Sequence, residues 1–372
     1  DDLIAAASII GQSKGLYPLF WHCHRLLFQH DGSGYHKWPI HFAELKEQSG
    51  FFYILLAMTL VPEIKRIHTE LGIDESVTRD TCRQIDCFCN NHKIGNDGTP
   101  GIFPKQLSWL THYYKGRLFR IGRFEYKLRE LELPIHVFEH NTSHEVVILA
   151  PDDVSYTERG LVVNALFQTE SFHSQFSLTN TEATGFIITP NGRAINQKVT
   201  LDLTKWDVVL KPGDTVLDLH IPSGGAMTPE ATGESFTNAF DFFDTIFPDD
   251  LTTCIFCNSW IFNTDFEEYF PESNLCRFMS ELYIIPSPSN GDDGLFFTFC
   301  KDYEDWDEAP RETRLQHAIL ELYKKDDKLH SSGIIFQRKH LNNFGTQVYR
   351  NMQNGTANNI DFSFWKDYAE DG

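Results

Sequence analysis

At 372 residues the chain is long for one hydrophobic core, so two domains are the natural expectation. With 41% hydrophobic and 14% aromatic residues, 31 of them phenylalanine, it can bury wide apolar interfaces, which excludes a disordered chain. A formal net charge of -20 excludes nonspecific nucleic-acid binding, which needs a basic field. An anionic ligand must find backbone donors or a local basic patch here, whereas a cationic small molecule is favoured by the overall field. The eight cysteines (23, 82, 87, 89, 254, 257, 276 and 300) lack the spacing of a small disulfide scaffold. They read as reduced, mostly buried thiols of a cytoplasmic protein. No signal peptide or spanning segment is expected. The longest apolar run, Phe51 to Val61, stops at Pro62, well short of the ~20 residues a span needs. The sequence begins at Asp1 without Met, which leaves room for native residues ahead of it.

Residues 1 to about 105 read as helical. Leu16 to Gln29 is one helix, and His41 to Leu71 is two, broken near Pro62. Asp74 fits the N-cap of a helix that dies in the Gly95 to Gly101 loop, and a short helix runs from Lys105 to Lys115. From Gly116 the pattern shifts to period two. Strands are expected at Leu118 to Leu128 and Val146 to Ala150, with a hairpin between Gly185 and Val209 around a type I′ Asn191-Gly192 turn. Lys211 to Asp214 is a turn, and Thr215 to Ile221 is a strand. A helix with Phe236, Phe240 and Phe243 on one face begins at Pro229 and ends by Pro248. Then come a strand at Thr252 to Trp260, helix from Asp265 to Leu282 interrupted at Pro271, and a strand at Leu295 to Cys300. A helix at Thr313 to Tyr323 and a strand at Gly333 to Phe336 follow. The acidic stretch 292 to 312 reads as a solvated loop. The polar tail beyond His340 reads as an appended, partly helical segment.

The most informative segment is Thr215 to Phe247, where a strand enters Pro222-Ser223-Gly224-Gly225-Ala226-Met227-Thr228 and then a helix capped by Thr228 with Pro229 at its first position. Such a loop exposes successive backbone N–H groups beside the positive end of a helix, which is how proteins hold a diphosphate without side-chain charge. Glu230, in the first helical turn, opposes an anion if it points inward.

Three strings carry a resemblance. Val216-Leu217-Asp218-Leu219-His220-Ile221-Pro222 with Gly224-Gly225 and Thr228-Pro229-Glu230 resembles the GNAT-like C-terminal domain of a bacterial acyltransferase family. Cys257-Asn258-Ser259-Trp260-Ile261 resembles that family's Cys-His-Ser-Trp-Leu strand end, with Asn258 where His is usual, and Gly116 to Arg123 resembles the start of its first long strand. The helical region before 105 is similar to the family's N-terminal domain. The resemblance implies an α+β protein with a helical N-terminal domain (1–115), a GNAT-like mixed α/β domain with a central, mostly antiparallel sheet (116–340) and a C-terminal extension (341–372). It further implies an N-acyltransferase that moves an acyl group from acetyl-CoA or another acyl-CoA to a small amine; charge, hydropathy and residue spacing separately point to no nucleic acid, membrane or metal. On that layout the strand ending at His220 donates backbone hydrogen bonds to the pantetheine arm. Leu219, Ile221, Ser223, Gly224, Gly225, Ala226 and Thr228 then line the cofactor, and Asn258 and Trp260 line the acceptor cleft. The usual loop pattern is Gln/Arg-x-x-Gly-x-Gly/Ala; Gly224 and Ala226 match it, but its first position is Ile221.

Acyl transfer to an amine needs a base and often an acid for the thiolate. Val216, Asp218 and His220 share one strand face, which makes His220 the candidate base and Asp218 its orienting partner. Tyr269 is the candidate acid, with packing against Phe266 and Phe270 as the competing role. The basic run Lys115, Arg117, Arg120, Arg123, Lys127 and Arg129 either receives a cofactor phosphate or pairs with carboxylates. Arg120 and Arg123 are expected on opposite strand faces, unable to converge on one ligand. His22-Cys23-His24 and Cys87-Phe88-Cys89 lack zinc spacing. The alternative to an enzyme is a noncatalytic GNAT-fold binding or regulatory protein that has lost the cofactor site, motivated by Ile221 and Glu230.

Overall fold

The computed structural model describes residues 1–29, 34–164, 169–325 and 329–354. The chain divides into two compact units. The first holds Asp1–Lys127, His220–Gly225 and Leu295–Pro310; the second holds Leu128–Leu219, Ala226–Gly294 and Arg311 onward. The architecture is α+β, with helices first and then a mixed, mostly antiparallel sheet region. Among the described residues no helix is long and apolar enough to cross a membrane. All eight cysteines are free.

In the first unit the helices are α1 (Asp2–Gln12), α2 (Leu16–Phe28), α3 (Phe51–Met58), α4 (Val61–Glu70), α5 (Glu75–Cys82), α6 (Gln84–Gly95) and α7 (Leu110–Tyr114). The break between α3 and α4 falls where Pro62 predicts it, because proline in a first helical turn loses no hydrogen bond. Asp74 caps α5, accepting the Ser76 N–H at 2.7 Å. These helices bury one apolar cluster that includes Phe20, Leu27, Phe52, Leu56, Leu60 and Leu110. The expected strand at Leu118–Leu128 is instead a hairpin of β1 (Phe119–Ile121) and β2 (Phe124–Glu130), pairing Ile121 with Phe124. Gly122 at φ +63° and Arg123 make the two-residue turn, and a glycine-first turn suits the twist of antiparallel strands.

The second unit contains β3 (His136–His140), β4 (Val146–Leu149), β5 (Ser155–Tyr156), β6 (Phe172–His173), β7 (Ser177–Leu178), β8 (Glu182–Ile188), β9 (Ala194–Asp202), β10 (Trp206–Leu210) and most of β11 (Thr215–His220). They are followed by α8 (Pro229–Ile246), β12 (Cys254–Ser259), α9 (Phe266–Tyr269), α10 (Asn274–Ser280) and β13 (Tyr283–Pro286). The chain then supplies α11 (Leu295–Phe299) to the first unit before α12 (Arg314–Lys324), β14 (Ser332–Gln337) and α13 (Val348–Asn354). One sheet runs β10-β3-β4-β8-β7, with β9 on β8; in a second, β11, β12, β14 and β13 are successive neighbours; β5 and β6 pair as a two-stranded third. The β11–β12 pair is parallel and its register joins only Leu217 to Ile255 and Asp218 to Phe256.

Two sequence expectations need correction. Leu295–Cys300 is helical, not extended. Its apolar run is too short for periodicity to decide, and the turn docks where Gly95 leaves room for the Cys300 carbonyl and Phe296 meets Phe103. The β8–β9 connection is not a two-residue type I′ turn. The Gly192 N–H donates to the Thr189 carbonyl and Ile188 pairs with Ala194, so the loop holds five residues with Pro190 in its first turn. Strands β3, β5, β6, β7 and β13 have no counterpart among the sequence expectations; every side chain of β13 is buried, so alternation is absent. The Pro271 break between α9 and α10 is as expected. Of the tail, Arg338–Asn343 forms a 3₁₀ turn ahead of α13, and Gly355 onward lies outside the described residues.

A buried carboxylate anchors the second unit. Asp265, 2% exposed, meets the Arg159 guanidinium, Arg193 Nη2 at 3.1 Å and His330 Nδ1 at 3.4 Å. These partners hold the carboxyl well below its ordinary range despite burial. Asp265→Asn is expected to lower unfolding free energy by about 3–5 kcal/mol in a urea titration, because it strands buried positive charge. Arg159→Met, at a side chain 48% exposed, is expected to lower it much less. Equal losses for the two variants would contradict this account.

Candidate functional site

The glycine loop opens in the first unit. Pro222 is buried, and Ser223, Gly224 and Gly225 are exposed. Gly224 at φ +86° and Gly225 at φ +76° adopt a conformation that a side chain disfavours. Among the described residues none of the Ser223, Gly224 and Gly225 amides donates to another protein group. Their carbonyl side is tied down instead. Arg123 Nη1 donates to the Pro222 carbonyl at 3.0 Å, and the Cys87 thiol donates to the Ser223 carbonyl at 3.4 Å. The Arg123 stem runs alongside Gly225, where an added Cβ would lie 3.6 Å from its Cδ and Nε.

This corrects the expectation that Arg120 and Arg123 diverge. Arg123 lies in the hairpin turn, where strand alternation does not apply. Burial, with the Arg120 charge beside it, brings the Arg123 guanidinium down to about 10. Arg120 Nη1 reaches Cys87 Sγ at 3.7 Å and Arg123 is within electrostatic reach of the same thiol, so Cys87 stands between the two guanidiniums and the loop. Arg129, by contrast, pairs with Glu132 and, at 3.5 Å, with Asp218.

His220 stands at the end of β11, in the same unit. Its ring meets Trp109 edge to face at 4.6 Å. The Trp109 indole N–H donates to the Tyr113 hydroxyl at 3.1 Å, which donates to Glu125 Oε1 at 2.8 Å. Glu125 is 1% exposed; burial raises its carboxyl, while the Tyr113 hydrogen bond and the charges of Arg120 and His220 act the other way. Burial brings neighbouring His112 down to about 4, with the Lys127 and His220 charges adding to the effect.

The remaining predicted residues lie in the second unit. Thr228 caps α8, accepting the Ala231 N–H at 3.3 Å, and Glu230 is exposed to solvent. Asp218 is buried; burial, with the Asp218 charge adding to it, holds the Cys257 thiol well above its usual range. Asn258 is exposed and accepts from the Ser287 hydroxyl at 2.8 Å. Trp260 is half-buried with its indole packed on Gly294, where an added Cβ would sit 2.3 Å from the ring. The Tyr269 hydroxyl accepts from Lys325 Nζ at 3.0 Å. Among the described residues no group of His, Cys, Asp or Glu could hold a metal ion.

The model of the GNAT-like C-terminal domain matches residues 118–335, more than half the chain, and that of the N-acyltransferase N-terminal domain matches residues 1–116. The chain belongs to this GNAT-like N-acyltransferase family. No protein of curated function matches it. Solved structures share the fold at low identity. One is an acyltransferase mutant in complex with octanoyl-CoA (19% identity, TM-score 0.59, covering 90% of this chain and 82% of that one). Another is an acyltransferase in complex with decanoyl-CoA and teicoplanin (19% identity, TM-score 0.57, covering 90% of this chain and 83% of that one).

What sequence reasoning missed in this GNAT-like chain is Glu125 and its Trp109–Tyr113 support. The signal was present: an acid between Phe124 and Tyr126 in a period-two segment faces opposite to both. A carboxyl raised in the folded state contributes stability that is fully present below its ordinary value of 4.5 and is lost as pH rises through the folded value. Glu125→Gln keeps an oxygen for the Tyr113 hydroxyl. Its thermal midpoint is therefore expected to exceed the native protein's at about pH 8 and to converge on it toward about pH 4. A variant less stable throughout would mean that the charged carboxylate is needed for stability.

Proposed function

We propose that this chain transfers an acyl group from an acyl-CoA to a small-molecule amine. The supporting observation is the exposed Ser223–Gly225 segment with uncommitted amides, directly following a strand whose pairing to β12 stops at Asp218. Leu219, one residue further, has no register partner in β12, which leaves backbone for a pantetheine arm. Ile221, Ser223, Gly224 and Gly225, continuing to Ala226 and Thr228, are the proposed diphosphate contacts. The complexes of the fold relatives with octanoyl-CoA and decanoyl-CoA favour a donor with a longer acyl chain over acetyl-CoA.

In the proposed reaction the amine nitrogen attacks the thioester carbonyl and His220 takes the proton that nitrogen loses. The carbon–sulfur bond then breaks, and Tyr269 protonates the departing thiolate. Glu125, within electrostatic reach of His220, stabilises the imidazolium that forms; Asp218, on the same strand, is the second carboxylate assigned to support it. Asn258 and Trp260 are proposed to border the acceptor. The proposed domain limits stay at 1–115, 116–340 and 341–372.

Calorimetry with acetyl-CoA, octanoyl-CoA and decanoyl-CoA tests the reading. Micromolar binding of at least one is expected, and His220→Ala is expected to lower kcat by about 10²–10⁴ with little change in cofactor affinity. Absence of binding at millimolar concentrations of all three would leave the noncatalytic alternative.

A further inference from the structure

The family's loop pattern opens with a Gln or Arg, and this chain has Ile221 there. In a molecule of net charge -20, a local positive charge beside those amides offsets the acidic field a diphosphate meets. The missing charge comes from another element. The β1–β2 hairpin carries Arg123 in its turn and Arg120 on its first strand; Arg123 reaches the loop at Pro222, and Arg120 reaches Cys87, whose thiol is on Ser223.

Neither guanidinium forms an ion pair among the described residues. A guanidinium presents five N–H donors. Arg123 uses one on the Pro222 carbonyl, and its Nε is buried without a partner. The Arg120 side chain is given only a long contact to a thiol sulfur, which is a weak acceptor. Glu125 is within electrostatic reach of Arg120, but its Oε1 already accepts from Tyr113. Glu125 is felt by both guanidiniums, yet among the described residues no carboxylate reaches either within hydrogen-bond distance, so their donors keep capacity for a shared anion. Gly225 brings the loop alongside the Arg123 stem, and its φ of +76° is a conformation a side chain disfavours.

We propose that Arg120 and Arg123 form, with the Ser223, Gly224 and Gly225 amides, a site for a diphosphate group, substituting for the absent first loop residue. The diphosphate's origin in acyl-CoA rests on the function proposed above; the anion site itself does not. Paired guanidiniums bind phosphate oxygens bidentately, with direction as well as charge. Cys87 lies beside the site as a built-in reporter, its sulfur 3.4 Å from the Ser223 carbonyl and 3.7 Å from Arg120.

The test uses coenzyme A, inorganic pyrophosphate and pantetheine, which lacks the diphosphate, with the native protein and the variants Arg120→Gln and Arg123→Gln. Each variant is expected to weaken coenzyme A and pyrophosphate at least about tenfold and to leave pantetheine unchanged. In the native protein, pyrophosphate is expected to slow alkylation of Cys87, but not of Cys82, as read by site-resolved mass spectrometry. This arm does not depend on whether a variant folds. Native affinities retained in both variants, unprotected Cys87 at saturating pyrophosphate, or no pyrophosphate binding by the native protein would each overturn the proposal. Arginine-dependent pyrophosphate binding without any acyl-CoA binding would uphold this site and reject the acyltransferase reading.

Discussion

One buried carboxylate, Asp265, draws together three segments that are distant in sequence: Arg159 in the loop before Leu161, Arg193 just ahead of β9, and His330 ahead of β14. The Thr264 N–H donates to His330 Nε2 at 3.2 Å, so a neutral His330 carries its proton on Nδ1, facing Asp265. The same corner is closed by Gly192 against Thr264 and Ile284, where a Cβ would approach the Ile284 side chain to 2.7 Å. The Tyr283 hydroxyl completes it by donating to the Ile188 carbonyl. The two larger sheets of the second unit are thus pinned at one polar point, and the parallel β11–β12 pair belongs to one of them.

The second constraint is charge. A protein this acidic cannot rely on its overall field to attract an anionic cofactor, so positive potential must be concentrated locally. The hairpin turn does this at low structural cost. A turn residue is free of sheet hydrogen bonding, and Gly122 takes the positive φ, so Arg123 carries its long side chain from an unstrained backbone toward Pro222 and Gly225. The acidic residues from Asp302 to Glu308 stay exposed, where solvent screens them.

Local determinants were legible in the sequence. Asp74 and Thr228 cap the helices they were expected to cap, Pro62 and Pro271 break helices where proline must, and Phe236, Phe240 and Phe243 form the buried face of α8. Segments whose structure is decided by their neighbours were not. Strand β13 is buried on both faces and shows no alternation, and the Leu295–Phe299 turn is helical because of what it docks against. The loop 223–225 could be read as a place where backbone approaches a ligand, because glycines say so directly. Its charge could not, because one unforeseen turn at Gly122 reverses the faces that strand alternation assigns to Arg120 and Arg123.

The proposed base His220 and the proposed anion site lie in one unit, and Glu125 keeps them from working against each other. Arginines gathered near an imidazole oppose the positive charge it must carry when it takes a proton. Glu125 answers both demands. Its carboxyl is within electrostatic reach of Arg120 and of His220, and Tyr113 holds it in place with a hydrogen bond independent of either. A carboxyl in solvent would be screened and would do little for either neighbour; one at 1% exposure acts in a low dielectric, where a single charge is felt strongly. The cost is the desolvation that raises Glu125, and the Trp109–Tyr113–Glu125 chain of hydrogen bonds is what offsets it. The aromatic residues around His220 therefore act electrostatically as well as by packing: they keep water away from the carboxyl that balances the arginines.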